Sequence, residues 1–252
     1  MNFVKTELKR FFLTLSFYTR LPVPAITLDK VDITQTIRYF PLMGWIVGSC
    51  AAGVFLLSLL FFSVTTAIIL SMVTTVLLTG AFHEDGFADF CDGFGGGWEK
   101  THILAIMKDS AIGTYGSIGL IALFSLKYAS LYELSVDLLP IAFIIGHTIS
   151  RFVAISFLYT HSYVRTTADS KVPTSDQSVP LKEFIIAAIL AILPFLGVPH
   201  FYYLLAILPI FIVRTYFSQL FTRKLGGYTG DCLGAVQQVS EVTFYLTLAT
   251  LH

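Results

Sequence analysis

Four carboxylates crowd into eleven residues of this chain, His83-Glu84-Asp85-Gly86-Phe87-Ala88-Asp89-Phe90-Cys91-Asp92-Gly93. Asp85, Asp89 and Asp92 recur at i, i+4 and i+7, which on a helix brings them to one face. Three like charges on one face repel, and a hard divalent cation removes that penalty. An all-oxygen ligand set suits Mg²⁺ or Mn²⁺ rather than zinc, and Mg²⁺ is commonly shared with substrate phosphates. A solvated acidic stretch is the plainer explanation. It does not account for the small residues Gly86, Ala88 and Gly93 between the acids, which let a ligand or a second helix come close. Glu84 points off the aspartate face and reads as a surface acid. His83 is also off it, and is a candidate ligand or acid/base group.

Two further segments carry phosphate-type chemistry. Gly95-Gly96-Gly97 reads as a flexible loop, and Met107-Lys108-Asp109-Ser110-Ala111-Ile112-Gly113-Thr114-Tyr115-Gly116 follows at the mouth of an apolar run. Lys108 and the amides of a helix start there can hold a phosphate, with Asp109 and Ser110 beside them. Helix capping by Asp109 or Ser110 explains the same residues. The third segment is Arg223-Lys224-Leu225-Gly226-Gly227-Tyr228-Thr229-Gly230-Asp231. Gly227, Thr229, Gly230 and Asp231 can bind phosphate or complete a metal shell, or Asp231 can be a helix N-cap.

Something must position these groups, and the composition says it is a membrane domain. Of 252 residues, 55% are hydrophobic and 13% charged, with a mean hydropathy of +0.77. A soluble domain carries roughly 25% charged residues. Apolar runs long enough to span a bilayer are read at about 42–62, 64–82, 113–134, 138–160, 184–197 (short for a span) and 201–221, with a weaker seventh at 233–251. The expected fold is therefore all-α, a polytopic bundle of about six or seven spans forming a single domain over 1–252. Thirteen of the 16 basic residues fall in the long polar segments 1–41, 83–112, 161–183 and 222–232. Alternating spans put all of these on one side, which the positive-inside rule makes cytoplasmic. Lys127, Arg151 and Arg214 lie inside apolar runs. Arg151 and Arg214 read as interior, anion-facing groups, and Lys127 equally well as a snorkelling side chain. Leu8, Phe11, Phe12 and Leu15, beside Lys5, Lys9 and Arg10, suggest an N-terminal interfacial helix. No cleavable signal peptide is expected. Net charge is zero and no basic stripe argues for nucleic acid. Cys50, Cys91 and Cys232 show no metal-binding spacing. A homo-oligomer is left open.

At these segments the sequence resembles cobalamin synthase, the adenosylcobinamide-GDP ribazoletransferase family. The pattern H-x-D-G-x-A-D-x-x-D-G reads here as His83 to Gly93. M-x-D-S-x-x-G-T-x-G reads as Met107 to Gly116, and G-G-x-T-G-D-x-L-G-A as Gly226 to Ala235. Phe17-Tyr18-Thr19-Arg20-Leu21-Pro22-Val23-Pro24 and Phe40-Pro41-Leu42-Met43-Gly44 also look like family segments. The resemblance implies a Mg²⁺-dependent enzyme of the cytoplasmic (inner) membrane with its site facing the cytoplasm. Such an enzyme joins adenosylcobinamide-GDP to α-ribazole or its 5′-phosphate, releasing GMP and adenosylcobalamin or its 5′-phosphate. On that reading Asp85, Asp89 and Asp92 hold the metal. Lys108, Asp109, Ser110, Arg151, Gly227, Thr229 and Gly230 meet substrate. His83 and Asp231 are the candidates for the proton acceptor, His83 first because imidazole titrates near neutral pH. Two alternatives stand beside it. A CDP-alcohol phosphotransferase would need an Ala-Arg pair after Asp85-Gly86 that is absent. In a cation transporter the acids would sit near the midplane.

Overall fold

A computed structural model describes residues 3–24, 35–165 and 180–252. Parts of the expected long segments 1–41 and 161–183 lie outside the described residues. Ten α-helices run through the described chain: α1 Phe3–Tyr18, α2 Phe40–Ser58, α3 Val64–Thr79, α4 Phe82–Gly96, α5 Lys100–Ile106, α6 Thr114–Tyr132, α7 Leu139–Thr160, α8 Leu181–Ile192, α9 Ile207–Leu225 and α10 Gly230–Leu251. Short 3₁₀ turns precede α2, follow α8 and lead into α9. The fold is an all-helical transmembrane bundle.

The apolar runs become helices within a few residues of their expected ends, because a chain in hydrocarbon must satisfy its backbone internally. α2 lies along α7, with Phe55 against Phe143 and Met43 clustered with Ala154 and Ile155. Among the described residues, Ile37–Ser58, Leu139–Thr160 and Phe201–Leu225 are long and apolar enough to cross a membrane alone. α3 and α4 pass only as a pair, bent by 88°. α6 and α10 carry their own charges, Lys127 against Glu241 at 3.0 Å, and are polar inside the bundle rather than apolar throughout.

Two features differ from expectation. The run expected to end at Phe82 stops at Thr79. Gly80 (φ +66°) and Ala81 (φ +58°) then turn left-handed, and α4 leaves at a steep angle. A left-handed alanine costs roughly 1–2 kcal/mol, so the packing around it enforces this corner. Tyr18 and Phe17 of α1 pack on Phe82 there, and Arg20 N–H donates to Leu78 C=O at 2.7 Å. Lys127 does not snorkel: it is buried and ion-paired.

α1 keeps Phe3, Val4 and Leu8 exposed. Glu7 ties it down, pairing with Arg10 and Arg38, while Arg38 reaches Glu183 at the start of α8 at 2.7 Å. Burial raises the Glu7 pKa, but the Tyr39 hydroxyl and the two arginines outweigh it and hold the carboxyl below its ordinary value.

Candidate active site

The corner before α4 swings the aspartate segment against the first turn of α10. Gly86 makes this approach possible: a Cβ there would stand 3.0 Å from Asp231 Cα and 3.5 Å from Gly234 Cα. Gly234 answers from α10, where a Cβ would meet Gly86 Cα at 3.2 Å. The helices therefore touch at backbone level, and Asp231 comes to lie beside the turn that carries Asp85 and Asp89. Asp85 is exposed and Asp89 half-buried.

Asp92 has a different environment. It is 9% exposed, and its Oδ2 and Oδ1 accept the N–H groups of Gly113 at 2.7 Å and Gly116 at 2.8 Å. Seven residues along α4, the aspartate face meets the amino end of α6, and the carboxylate takes its orphan donors and its positive dipole end. Side chains at Gly113 or Gly116 would run into that carboxylate, so the glycines of this motif make room for a cap. Among the described residues no three His, Cys, Asp or Glu side chains gather as a metal cluster. Of the expected trio, Asp85 is exposed, Asp89 is half-buried, and Asp92 accepts two backbone N–H groups.

The third segment closes over α10. Beyond α7, Tyr163 pairs with Tyr228 in a parallel bridge. Val164 N–H donates to Tyr228 C=O and Tyr228 N–H to Ser162 C=O, both at 3.0 Å. Burial, with Tyr163 beside it, pushes the Tyr228 hydroxyl up to about 12. Gly227 is buried beneath the Ser162 carbonyl, where a Cβ would not fit. Thr229 is fully buried and caps α10, its Oγ1 accepting Cys232 N–H at 3.2 Å. Thr229, rather than Asp231, is thus the N-cap, and Gly227 and Thr229 support the site from beneath. Gly230 stays half-exposed, and Asp231 pairs through Oδ2 with Arg165 Nη2 at 2.7 Å. Lys108, Asp109 and Ser110 are exposed before α6; Asp109 Oδ1 accepts Ala111 N–H at 3.0 Å, a local turn.

Behind α4 lies a buried polar network that joins four helices. Glu84 Oε1 accepts Gln238 Nε2 at 2.9 Å, and Gln238 Oε1 accepts Lys127 Nζ at 2.9 Å. Glu241 faces Lys127 through Oε1 at 3.0 Å and His147 Nδ1 through Oε2 at 3.1 Å. Gln237 Nε2 donates to Glu241 Oε2 at 2.8 Å and to Ser150 Oγ at 2.9 Å. Arg151 is 2% exposed, its Nη1 donating to His147 C=O at 2.8 Å. His83 is 3% exposed, ringed by Tyr18, Phe40 and Phe82, and its Nε2 has no partner among the described residues. His83 and Arg151 therefore lie inside the bundle, on the inward faces of α4 and α7, whereas Asp85 is exposed. Arg214 turns to the rim, bonding Thr160 Oγ1 at 2.7 Å.

The profile of the family described as cobalamin-5-phosphate synthase matches residues 10–249. The chain belongs to the cobalamin-5-phosphate synthase family. Three relatives carry the name adenosylcobinamide-GDP ribazoletransferase. That of Shewanella pealeana is 43% identical, over 97% of this chain and 96% of its own. That of Shewanella amazonensis is 42% identical over 100% and 98%. That of Shewanella halifaxensis is 41% identical, again over 100% and 98%. No solved structure matches the chain. The match spans every motif segment of the cobalamin-5-phosphate synthase reading, and it decides against the CDP-alcohol phosphotransferase and transporter alternatives.

Sequence reasoning missed Glu84, which is buried and held by Gln238 rather than a surface acid. It also missed Glu241, His147, Gln237 and Gln238. The available signal was Lys127 within an apolar run, since a charge there calls for a partner in another span. Arg165 had no such signal.

Proposed function

We propose that this protein joins adenosylcobinamide-GDP to α-ribazole or its 5′-phosphate and releases GMP. One observation supports the reading: in a chain matched over residues 10–249 by the cobalamin-5-phosphate synthase family, the first turn of α10 with Asp231 packs on Gly86, in the turn between Asp85 and Asp89. The ribazole 3′-hydroxyl attacks the cobinamide-side phosphorus. A new P–O bond forms, the bridging P–O bond breaks, and the electron pair leaves with GMP.

Asp85 and Asp89 fit a Mg²⁺ ion. They are hard oxygen donors one turn apart, and Asp85 has no side-chain partner among the described residues. With Asp92 occupied, the donor set suits an ion that shares its shell with substrate phosphates rather than a closed protein cage. Bound there, Mg²⁺ supplies charge neutralisation to the pyrophosphate.

The chain's own residues position the reactants, which is most of what phosphoryl transfer asks of a protein. The exposed cation Lys108 stands beside the amino end of α6 and can attract a phosphate. The proton of the attacking hydroxyl needs a carboxylate or imidazole within hydrogen-bond reach. We infer that Asp231 serves rather than His83, which is 3% exposed and ringed by Tyr18, Phe40 and Phe82. The distribution of Lys and Arg supports a site on the cytoplasmic side of the cell membrane. Purified full-length protein in detergent, given both substrates and Mg²⁺, is expected to form a complete corrinoid and GMP. No corrinoid product in that assay sinks the proposal.

A further inference from the structure

We propose that Arg165 is the phosphate-binding cation of the aspartate face, taking an oxygen of the donor's pyrophosphate. The inference rests on the transferase reading above and adds to it the residue that receives the donor.

Arg165 is fixed in place by backbone. The hydrogen bonds of Val164 and Tyr228 clamp its segment to the residues just before α10. Its Nη2 then spans two segments, donating to Asp231 Oδ2 at 2.7 Å and to Met107 C=O at 3.3 Å. Asp231 in turn lies against Gly86, between Asp85 and Asp89 in sequence. The guanidinium is therefore tethered at the junction of the three motif segments.

Its chemistry suits an oxyanion. The side chain is 13% exposed, so its charge is only partly screened. Both of its hydrogen bonds among the described residues come from Nη2, which leaves Nε and Nη1 as further donors. A guanidinium held on one nitrogen by a carboxylate presents its remaining donors in a fixed fork that matches phosphate oxygens. A cation at this junction, beside Asp231, adds to the charge that Mg²⁺ on Asp85 and Asp89 would supply to a pyrophosphate. Lys127 faces Glu241 deep in the bundle, and Arg151 is buried beside His147. Lys108 is exposed on a flexible stem. A purely structural latch is the competing account, but the backbone bridge already fastens this segment.

The test compares R165Q and R165K with wild type, using full-length protein in detergent that elutes as a single folded species. Donor KM, acceptor KM and the affinity for GMP are measured separately. R165Q is expected to raise donor KM and weaken GMP binding by about 10- to 100-fold, the loss of a hydrogen bond to a charged group. Acceptor KM is expected to stay unchanged. R165K keeps the charge and loses the fork, so it should fall between. Unchanged donor KM and GMP affinity in R165Q overturn the proposal. So does a loss confined to α-ribazole 5′-phosphate and absent with α-ribazole, since Arg165 would then read the acceptor. If R165Q does not fold, R165K decides, and wild-type donor KM there overturns it. Wild type is the control on the transferase reading: if it makes no product, that reading has failed, independently of Arg165.

Discussion

Replacing Asp92 by Asn and Asp85 by Asn separates two roles that the spacing alone treats as one. Asp92 accepts two backbone N–H groups, at 2.7 and 2.8 Å, from a buried position. Asn offers one oxygen and turns an NH₂ group toward the second donor. One charge-assisted bond worth about 1.5–3 kcal/mol is lost. The favourable charge at the amino end of α6, worth about 0.3–1 kcal/mol, goes with it. The sum is about 2–4 kcal/mol, which for a chain of this size lowers the thermal midpoint by roughly 5–15 °C. Asp85 is exposed and without a side-chain partner among the described residues, so D85N should change stability by less than about 0.5 kcal/mol. D85N should nevertheless lose most activity and its Mg²⁺ dependence. Thermal melts of both variants in detergent, with and without Mg²⁺, measure this. A D92N protein that melts like wild type but no longer responds to Mg²⁺ would show the carboxylate to be a metal ligand rather than a cap.

Three other outcomes follow from the same geometry. K127M and E241Q each remove one member of a buried ion pair and should destabilise by about 3–5 kcal/mol, whereas K127M/E241Q should cost less than their sum; strict additivity in denaturation would refute the pairing. Gln at Glu84 keeps the bond to Gln238 but removes a buried charge facing Lys127 through that amide, so E84Q should lower the melting midpoint more than D85N does; equal midpoints would return Glu84 to the surface. Burial and Arg214 lower the His161 pKa, so the unfolded chain binds its proton more readily. Its contribution is therefore intact above the ordinary histidine value of about 6.5 and is lost as pH falls from there toward the lowered one. H161Q should flatten that part of the stability profile, and an unchanged slope would exclude His161.

The sequence makes the helices legible because membrane spans are written in continuous apolar runs, and α2, α6 and α7 fall close to where those runs lie. Its 3.6-residue phase also puts Asp85, Asp89 and Asp92 together. It does not say that the far end of that face meets α6, where Asp92 accepts two backbone N–H groups. Nor does it reveal the corner at Gly80–Ala81, which depends on a non-glycine residue in a left-handed conformation. Nor does it show that Glu84 is buried, because an acid beside three others looks solvated and its partner Gln238 lies 154 residues away. Arg165 is one cation in a polar segment, and only the pairing of Tyr163 with Tyr228 brings it 66 residues forward to Asp231.

The most direct measurement counts GMP released against corrinoid completed, as Mg²⁺ is titrated into purified wild type and D85N with both substrates present. The account predicts one GMP per corrinoid in wild type, no turnover after chelation, and a D85N protein that stays folded with most of its turnover gone. Equal, Mg²⁺-independent turnover by the two proteins, or GMP released without corrinoid, would contradict it.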